Sequence, residues 1–326
     1  MSQIIAKCIK VSPGSTKEVE FRFENKVEVN PLVVPEGLVI EDIVTEDRVA
    51  KLIVRVSDKP VLKPLWIIEL EFTMKDWSRK GVLGILPVDE NVKRVIVRQA
   101  EQDDKNYSVG ALSIAKGLNG FYLSYRWRSG NSLRGYLLEI SKSKNGLEFE
   151  KVKNFNKKDY GYDSFEQSAL YIGDKTVFLY SADTKRRWRI YSVYAKTPEE
   201  IELPGEPIID QAKDPAVYYS SEIGYIVAYS NTRNPGHDLT VSVGKELDKL
   251  EVKADSIFYK QLHSQGNVWA KTHIHAGAIV KSDDYYVLFY DALPKKPSCF
   301  GSGWLGVAVS KDLKNWLDLT PNKPLW

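Results

Sequence analysis

The sequence predicts an all-β protein, a five-bladed β-propeller preceded by a small β-sandwich, on three observations. Four short apolar segments end in tyrosine: "FYLSY" at Tyr125, "VFLY" at Tyr180, "YIVAY" at Tyr229 and "YVLFY" at Tyr290, at spacings of 55, 49 and 61 residues. Each is preceded, 11 to 14 residues upstream, by a strand start with alanine, at Ala111, Ala169, Ala216 and Ala278. Each is followed by a third apolar strand ("RGYLLEISKS", "WRIYSVYAK", "LTVSVGKE", "WLGVAVSKDL") and a weaker fourth ("LEFEKV", "EEIEL", "KLEVKA", "NWLDLT"). Four short strands joined by Gly, Asp, Asn and Ser turns make an antiparallel meander. A repeat of that size buries its faces only against neighbouring repeats around an axis, which makes each one a propeller blade.

Taken along the chain, the first 80 or so residues lack the tyrosine repeat. "SPGSTKEVEFRFENKVEVNPLVV", "RVAKLIVRVS" and "LWIIELEFTM" alternate apolar and polar residues between turn formers, as half-buried strands do. They predict an accessory domain over 1–82 that resembles immunoglobulin-like modules, with "KDWSRKGVLG" at 75–84 as linker and the propeller over 83–326. The alternative is that this region supplies the missing blade. Only four blades carry the repeat, so the fifth is expected to be assembled partly from 82–107, with the tail "TPNKPLW" docking beside the first blade to close the ring.

Composition narrows the function classes. Lys and Arg number 46 against 43 Asp and Glu, and no basic run tracks a phosphate backbone, so no nucleic-acid partner is expected. Cys8 and Cys299 are the only cysteines and form no CxxC pair, which argues against a disulfide framework or zinc cluster. No apolar run approaches the ~18 residues of a membrane helix and the N-terminus carries no signal-peptide pattern, so no membrane partner is expected and the reading is cytoplasmic. Abundant Lys, Glu, Ile, Val and Tyr point statistically to a heat-adapted source. No cofactor motif is present.

Two stretches, "YRWRSGNSLRGYLLEISKSKNGLEFEKV" at 125–152 and "FYDA … GWLGVAVSKDLKNW" at 289–316, resemble the five-bladed propeller glycoside hydrolases and phosphorylases related to arabinanases, invertases and mannoside phosphorylases. The resemblance runs from about residue 86 to the end. It implies that the first strand of each blade lines the axis and projects its opening residues into a sugar pocket. Aligned on the four alanines, Ser108, Glu166, Lys213 and His275 fall at one register and Val109, Gln167, Asp214 and Ala276 at the next. "FEQS" is similar to the family segment that carries the general acid, and "KDPA" to the one that carries an auxiliary aspartate or the base. The resemblance therefore implies Glu166 as acid and Asp214 as its partner.

That chemistry needs a proton for the leaving oxygen and a second carboxylate about 5 to 9.5 Å away, depending on stereochemistry. The third acidic group of inverting relatives has no counterpart in "NYSVGA" at 106–111, although Asp103, Asp104 or Asp291 lie near in the repeat. Cations along the same wall, Lys213, His273 and His275 with Arg126 and Arg128, suit inorganic phosphate as the attacking group, so phosphorolysis competes with hydrolysis. His275 alternatively occupies the axial place where some relatives hold a calcium-bound water, without three further ligands in evidence. Trp127 and Trp269 are the expected sugar-stacking aromatics, chosen over Trp188 and Trp304. A carbohydrate is the expected partner, with inorganic phosphate as a second ligand in the phosphorolytic case. A propeller that only binds glycans is the noncatalytic alternative.

Overall fold

The computed structural model describes residues 4–58, 63–88, 96–100, 107–129, 134–233, 237–294 and 303–325. Among them the chain forms six sheets, five of four strands and one of three, with only single-turn helices between them.

Four of the sheets are consecutive antiparallel meanders, and each matches one repeat of the sequence. Their innermost strands are Tyr107–Gly117, Ser164–Ile172, Ala212–Ser220 and Thr272–Ser282. Successive innermost strands pack side by side, so the sheets fan around a common axis as propeller blades. The cores lie between blades. Leu138, Ile140 and Phe155 of the first pack on Phe165 and Phe178 of the second. Ala169, Leu179 and Ile190 of the second pack on Ala212 and Val227 of the third. Ile226, Leu239 and Val241 of the third pack on Ala276, Leu288 and Tyr290 of the fourth.

The repeat tyrosines hold each blade together internally. Tyr125, Tyr180 and Tyr290 are almost fully buried, and a phenol at that depth needs a hydrogen-bond partner. Tyr125 Oη bonds Glu139 and Ser141 on the neighbouring strand. Tyr180 Oη accepts from Gly205 N at 3.1 Å, Tyr229 Oη meets Ser242 at 3.2 Å, and Tyr290 Oη reaches Asp318 at 3.2 Å. The motif recurs because each second strand has to be tied to the outer strands of its own blade.

The N-terminal residues form two sheets, Ile5–Val11, Trp77–Pro87, Trp66–Met74 and Glu28–Val33 in one, and Thr16–Arg22, Val49–Val56 and Leu38–Glu46 in the other. They enclose one core that includes Val19, Phe21, Leu52, Val54, Trp66, Ile68 and Phe72. Residues 77–84, expected as a linker, are strand. They pair with Trp66–Met74 on one side, and from Gly81 onward with Ile5–Val11 on the other, because Val82, Leu83 and Ile85 have apolar faces to bury. The expected boundary at 82–83 thus falls inside a strand. The fifth blade expected over 82–107 lies in part on this strand, which belongs to the N-terminal sheet, and in part on 89–95 and 101–106, which are outside the described residues.

The outer face of the N-terminal sheet packs on the fourth blade, where Cys8, Leu65, Ile67, Val82 and Leu86 meet Val287, Val307, Val309 and Leu319. The C-terminal tail joins the same contact: Leu325 N donates to Leu305 O at 2.8 Å and its side chain enters that cluster. This corrects the expectation that the tail docks beside the first blade; leaving the outermost strand Leu317–Asp318, it continues along strand Trp304–Ser310 and bonds back to it, Leu319 N to Val307 O at 2.9 Å as well as Leu325 N to Leu305 O. No helix among the described residues is long and apolar enough to cross a membrane.

Candidate functional site

The innermost strands share an irregularity that the sequence does not announce. In the first three blades the ladder advances three residues on the innermost strand against two on its partner: Gly110↔Arg126 to Ser113↔Ser124, Phe165↔Ala182 to Ser168↔Tyr180, and Lys213↔Ser230 to Ala216↔Ala228. The fourth does so from Thr272↔Leu293 to His275↔Asp291. Each is a β-bulge, and bulges re-aim side chains. The first bulged residues are Ala111, Glu166, Asp214 and His273, and all four line one pocket of about 500 Å³ at the axis. Ala111, Asp214 and His273 have φ of 53°, a left-handed conformation that costs a residue with a side chain about 1 kcal/mol or more.

The register corrects the alignment of the first blade. Ser113, rather than Ala111, pairs with the residue before the repeat tyrosine, as Ala169, Ala216 and Ala278 do. Gly110 and Ala111 therefore replace Ser108 and Val109 at the two wall registers. At the place of Asp214 the first blade offers a methyl group. Asp103 and Asp104 lie outside the described residues.

Most of the predicted residues meet in this pocket. Glu166 is 8% exposed and ion-paired with Arg126, itself 8% exposed. Asp214 is 5% exposed. Its backbone N–H donates to Ser181 Oγ at 2.8 Å, which fixes the bulge. Its Oδ2 accepts no hydrogen bond among the described residues, with Lys213 Nζ 3.4 Å and His275 Nε2 4.0 Å away. Burial pushes the Asp214 carboxyl upward, but Lys213 and then His275, His237 and Arg126 outweigh it and hold the group below the usual carboxylate range.

The imidazoles form a connected group. His275 Nδ1 lies 3.2 Å from Asp291 Oδ2, and His275 Nε2 lies 3.1 Å from His237 Nδ1. His273 packs against both rings, with centroids 5.2 and 6.1 Å away, and its Nδ1 meets Thr272 Oγ1 at 2.9 Å. Burial, then Lys213 and His275, lower His237 to about 3, and burial, then His275 and Lys213, also lower His273. Both nitrogens of His275 are thus engaged and Lys213 adjoins Asp214. The group does not suit a metal ion, and among the described residues no cluster of His, Cys, Asp or Glu is arranged to hold one.

Two predicted aromatics are elsewhere. Trp269 is 5% exposed, stacked on Tyr290 at 5.9 Å with its Nε1 donating to Thr320 O at 2.6 Å, in the core between the third and fourth blades. Trp127 donates to Glu139 at 3.2 Å and does not line the pocket. Trp188 does line it, with Arg134 and Lys213 5.6 and 5.8 Å from its ring centroid. Trp188 thus takes the place expected of Trp127 and Trp269, and Arg134 and His237 line the pocket without a signal in the repeat. His237 stands outside the repeat registers, directly before strand Asp238–Gly244; one signal is that it is one of only four histidines in the chain. Larger grooves exist, such as one of about 640 Å³ between Ile5–Val11 and the C-terminal tail, but its charged lining is lysines with a single glutamate and no imidazole.

Solved structures similar to this chain include proteins described as glycoside hydrolases. One is a member of the GH130 family of mannoside phosphorylases, a family described as containing glycoside hydrolases that target β-1,2-mannosidic linkages in Candida mannan, at 11% identity and a TM-score of 0.49 over 67% of this chain and 71% of that one. Another is a glycosyl hydrolase from Bacteroides ovatus, at 13% identity and a TM-score of 0.49 over 72% and 80%. A third is a xylan β-1,4-xylosidase from Bacillus halodurans, at 16% and 0.47 over 70% and 44%. No protein-family model matches the sequence, and no curated protein matches it.

Proposed function

We propose that the protein is carbohydrate-active and breaks a glycosidic bond in this pocket, with Glu166 protonating the leaving oxygen and Asp214 as its electrostatic partner. The observation that carries the reading is the convergence of Glu166, Asp214 and His273 on the first bulged residue of consecutive blades, where no packing need calls for an acid or an imidazole. A pocket with one carboxyl near the leaving oxygen and an ionised one beside it matches the division of labour in glycoside cleavage. For Glu166 to carry a proton, its ion pair with Arg126 has to open, and a bound sugar that displaces the guanidinium supplies the occasion.

A second reading is phosphorolysis. It is favoured by Arg128, Arg134 and Lys213, which line the pocket with Arg126 and form a donor set for a phosphate that needs no base. On either reading we take the ring to be five-bladed, with an immunoglobulin-like accessory unit before it. The half-open innermost strand of the first blade, with Leu112 60% and Ile114 56% exposed, supports a further element on that side.

The test is sugar release from a panel of aryl glycosides and oligosaccharides, with and without inorganic phosphate, for the natural chain and Glu166→Gln. The variant should lose about 10²- to 10⁴-fold in turnover. Strict phosphate dependence selects phosphorolysis, and glycan binding without turnover selects the noncatalytic alternative.

A further inference from the structure

We propose that His237 is the general base of this pocket, and that His275 and Asp291 are positioning residues that hold it in the acceptor tautomer. The inference rests on the reading of the pocket as a glycoside-cleaving site and names the group that reading lacks. Hydrolysis requires something to take a proton from water. Among the described residues, each carboxylate lining the pocket already faces a partner: Glu166 faces Arg126, Asp214 faces Lys213 and Asp291 faces His275. The first blade contributes Ala111 and three arginines, Arg126, Arg128 and Arg134, and no carboxylate.

The tautomers follow in sequence from the geometry. An ionised Asp291 only accepts, so at 3.2 Å His275 donates from Nδ1. A neutral His275 then has a bare Nε2, which at 3.1 Å accepts the Nδ1 proton of His237. A neutral His237 is left with its Nε2 lone pair unused, on a ring that lines the pocket. The backbone is shaped to the same end: His237 has φ of 58°, and Asp238 anchors the following strand by accepting from Leu239 N at 2.7 Å and Phe258 N at 2.9 Å. The charged and titratable groups around the ring are Lys213, Asp214, His273 and His275. Burial and then Lys213 disfavour its protonation and keep the base free, while Asp214 and, through His275, Asp291 offset the positive charge once it forms.

In the step itself, His237 Nε2 removes a proton from water as the water oxygen bonds to the anomeric carbon. The bond from that carbon to the leaving oxygen breaks, and the leaving oxygen takes the proton of Glu166. One water is consumed, the imidazolium returns its proton to solvent, and Glu166 regains one. Direct attack by water inverts the anomeric centre.

The experiment uses the full chain and dinitrophenyl glycosides of the common hexoses and pentoses in both anomeric forms, whose leaving groups need no acid. His237→Asn tolerates the left-handed backbone and should fold with unchanged far-ultraviolet circular dichroism. Its kcat should fall about 10²- to 10⁴-fold with KM changed little. Added azide, which attacks without losing a proton, should restore turnover and give the glycosyl azide of inverted configuration; a merely structural role would not be rescued. Asp291→Asn should lose kcat less severely and move the acid limb of the pH profile. Retention of kcat within about threefold in His237→Asn, or failure of azide to rescue it, overturns the assignment. Turnover of the natural chain only with phosphate overturns it while leaving glycoside cleavage intact. No turnover with any acceptor removes both.

Discussion

Asp214 and His237 show how single residues in this pocket are tuned in opposite senses by the same cations. Lys213 stabilises the carboxylate of Asp214 against the effect of its burial, whereas at His237 burial first and then Lys213 disfavour the imidazolium. The second effect has a consequence for stability. An unfolded chain binds a proton at His237 below pH about 6.5, whereas the folded chain refuses it until about 3. Between those values the unfolded state holds more protons, so this residue makes stability rise with pH across the window and adds nothing above it. The full slope for one proton is about 1.4 kcal/mol per pH unit, and partial solvation of the ring makes the real one shallower. Denaturant titrations from pH 4 to 6.5 should therefore show a smaller rise for His237→Asn than for the natural chain. Asp238, which burial raises to about 6, acts in the opposite direction in both proteins and cancels in the comparison. Equal slopes would show that the ring is protonated in the folded chain. His237 was not legible in the sequence because it stands outside the repeat registers, just before the third strand of its blade. Glu166, Asp214, Lys213, His273, His275, Asp291 and Arg126 were legible because they sit next to repeat landmarks. Trp269 was misjudged because residue type alone does not separate an inter-blade filler from a sugar platform.

At the scale of the strand, the bulges decide which side chains see the axis, and hydrogen bonds across blades hold them. Gln167 follows Glu166 in the second blade, and its Nε2 donates to Pro215 O at 3.1 Å and to Ala276 O at 3.0 Å. One amide thus fastens three successive innermost strands beside the pocket. Ser181 and Ser230, each directly after a repeat tyrosine, receive the N–H of Asp214 and of Ala276 at 2.8 and 3.2 Å and repeat the device between blades. Replacing Gln167 by Leu keeps the volume but leaves two buried carbonyls without that donor, at about 1–3 kcal/mol each. Thermal unfolding should show a Tm lowered by several degrees, and activity should fall further than stability alone explains, because Glu166 and Asp214 lose their common anchor. An unchanged Tm would mean that water replaces the amide. The repeat of four strands was legible from the tyrosines and alanines. The bulges were not, since a bulge changes hydrogen-bond register without changing the apolar pattern, and for that reason the first blade was aligned two residues early.

The whole molecule joins two kinds of β-structure through one apolar contact. Leu65, Ile67, Val82 and Leu86 on the N-terminal sheet and Val287, Val307, Val309 and Leu319 on the fourth blade are each less than 10% exposed. One buried hydrogen bond, from Ser282 Oγ to Leu65 O, crosses the contact; the outer links, Lys311 to Glu69 at 2.5 Å, Lys63 to Asp283 at 2.6 Å and Tyr285 to Glu69 at 2.9 Å, are partly solvated, and such pairs contribute about 0–1 kcal/mol. The contact therefore resembles the cores between blades more than a hinge between domains. If so, neither part is stable without the other, and calorimetry should show one transition. Val307→Asp tests the coupling from the blade side. An unpaired carboxylate at a fully buried position costs several kcal/mol and touches no residue of the core between the two N-terminal sheets. A coupled molecule should still melt once, at a lower temperature, with the N-terminal sheets lost in the same transition. An appended module would instead give two transitions in the variant, the N-terminal one at its original temperature, and would place a domain boundary after Pro87 that the packing alone does not require.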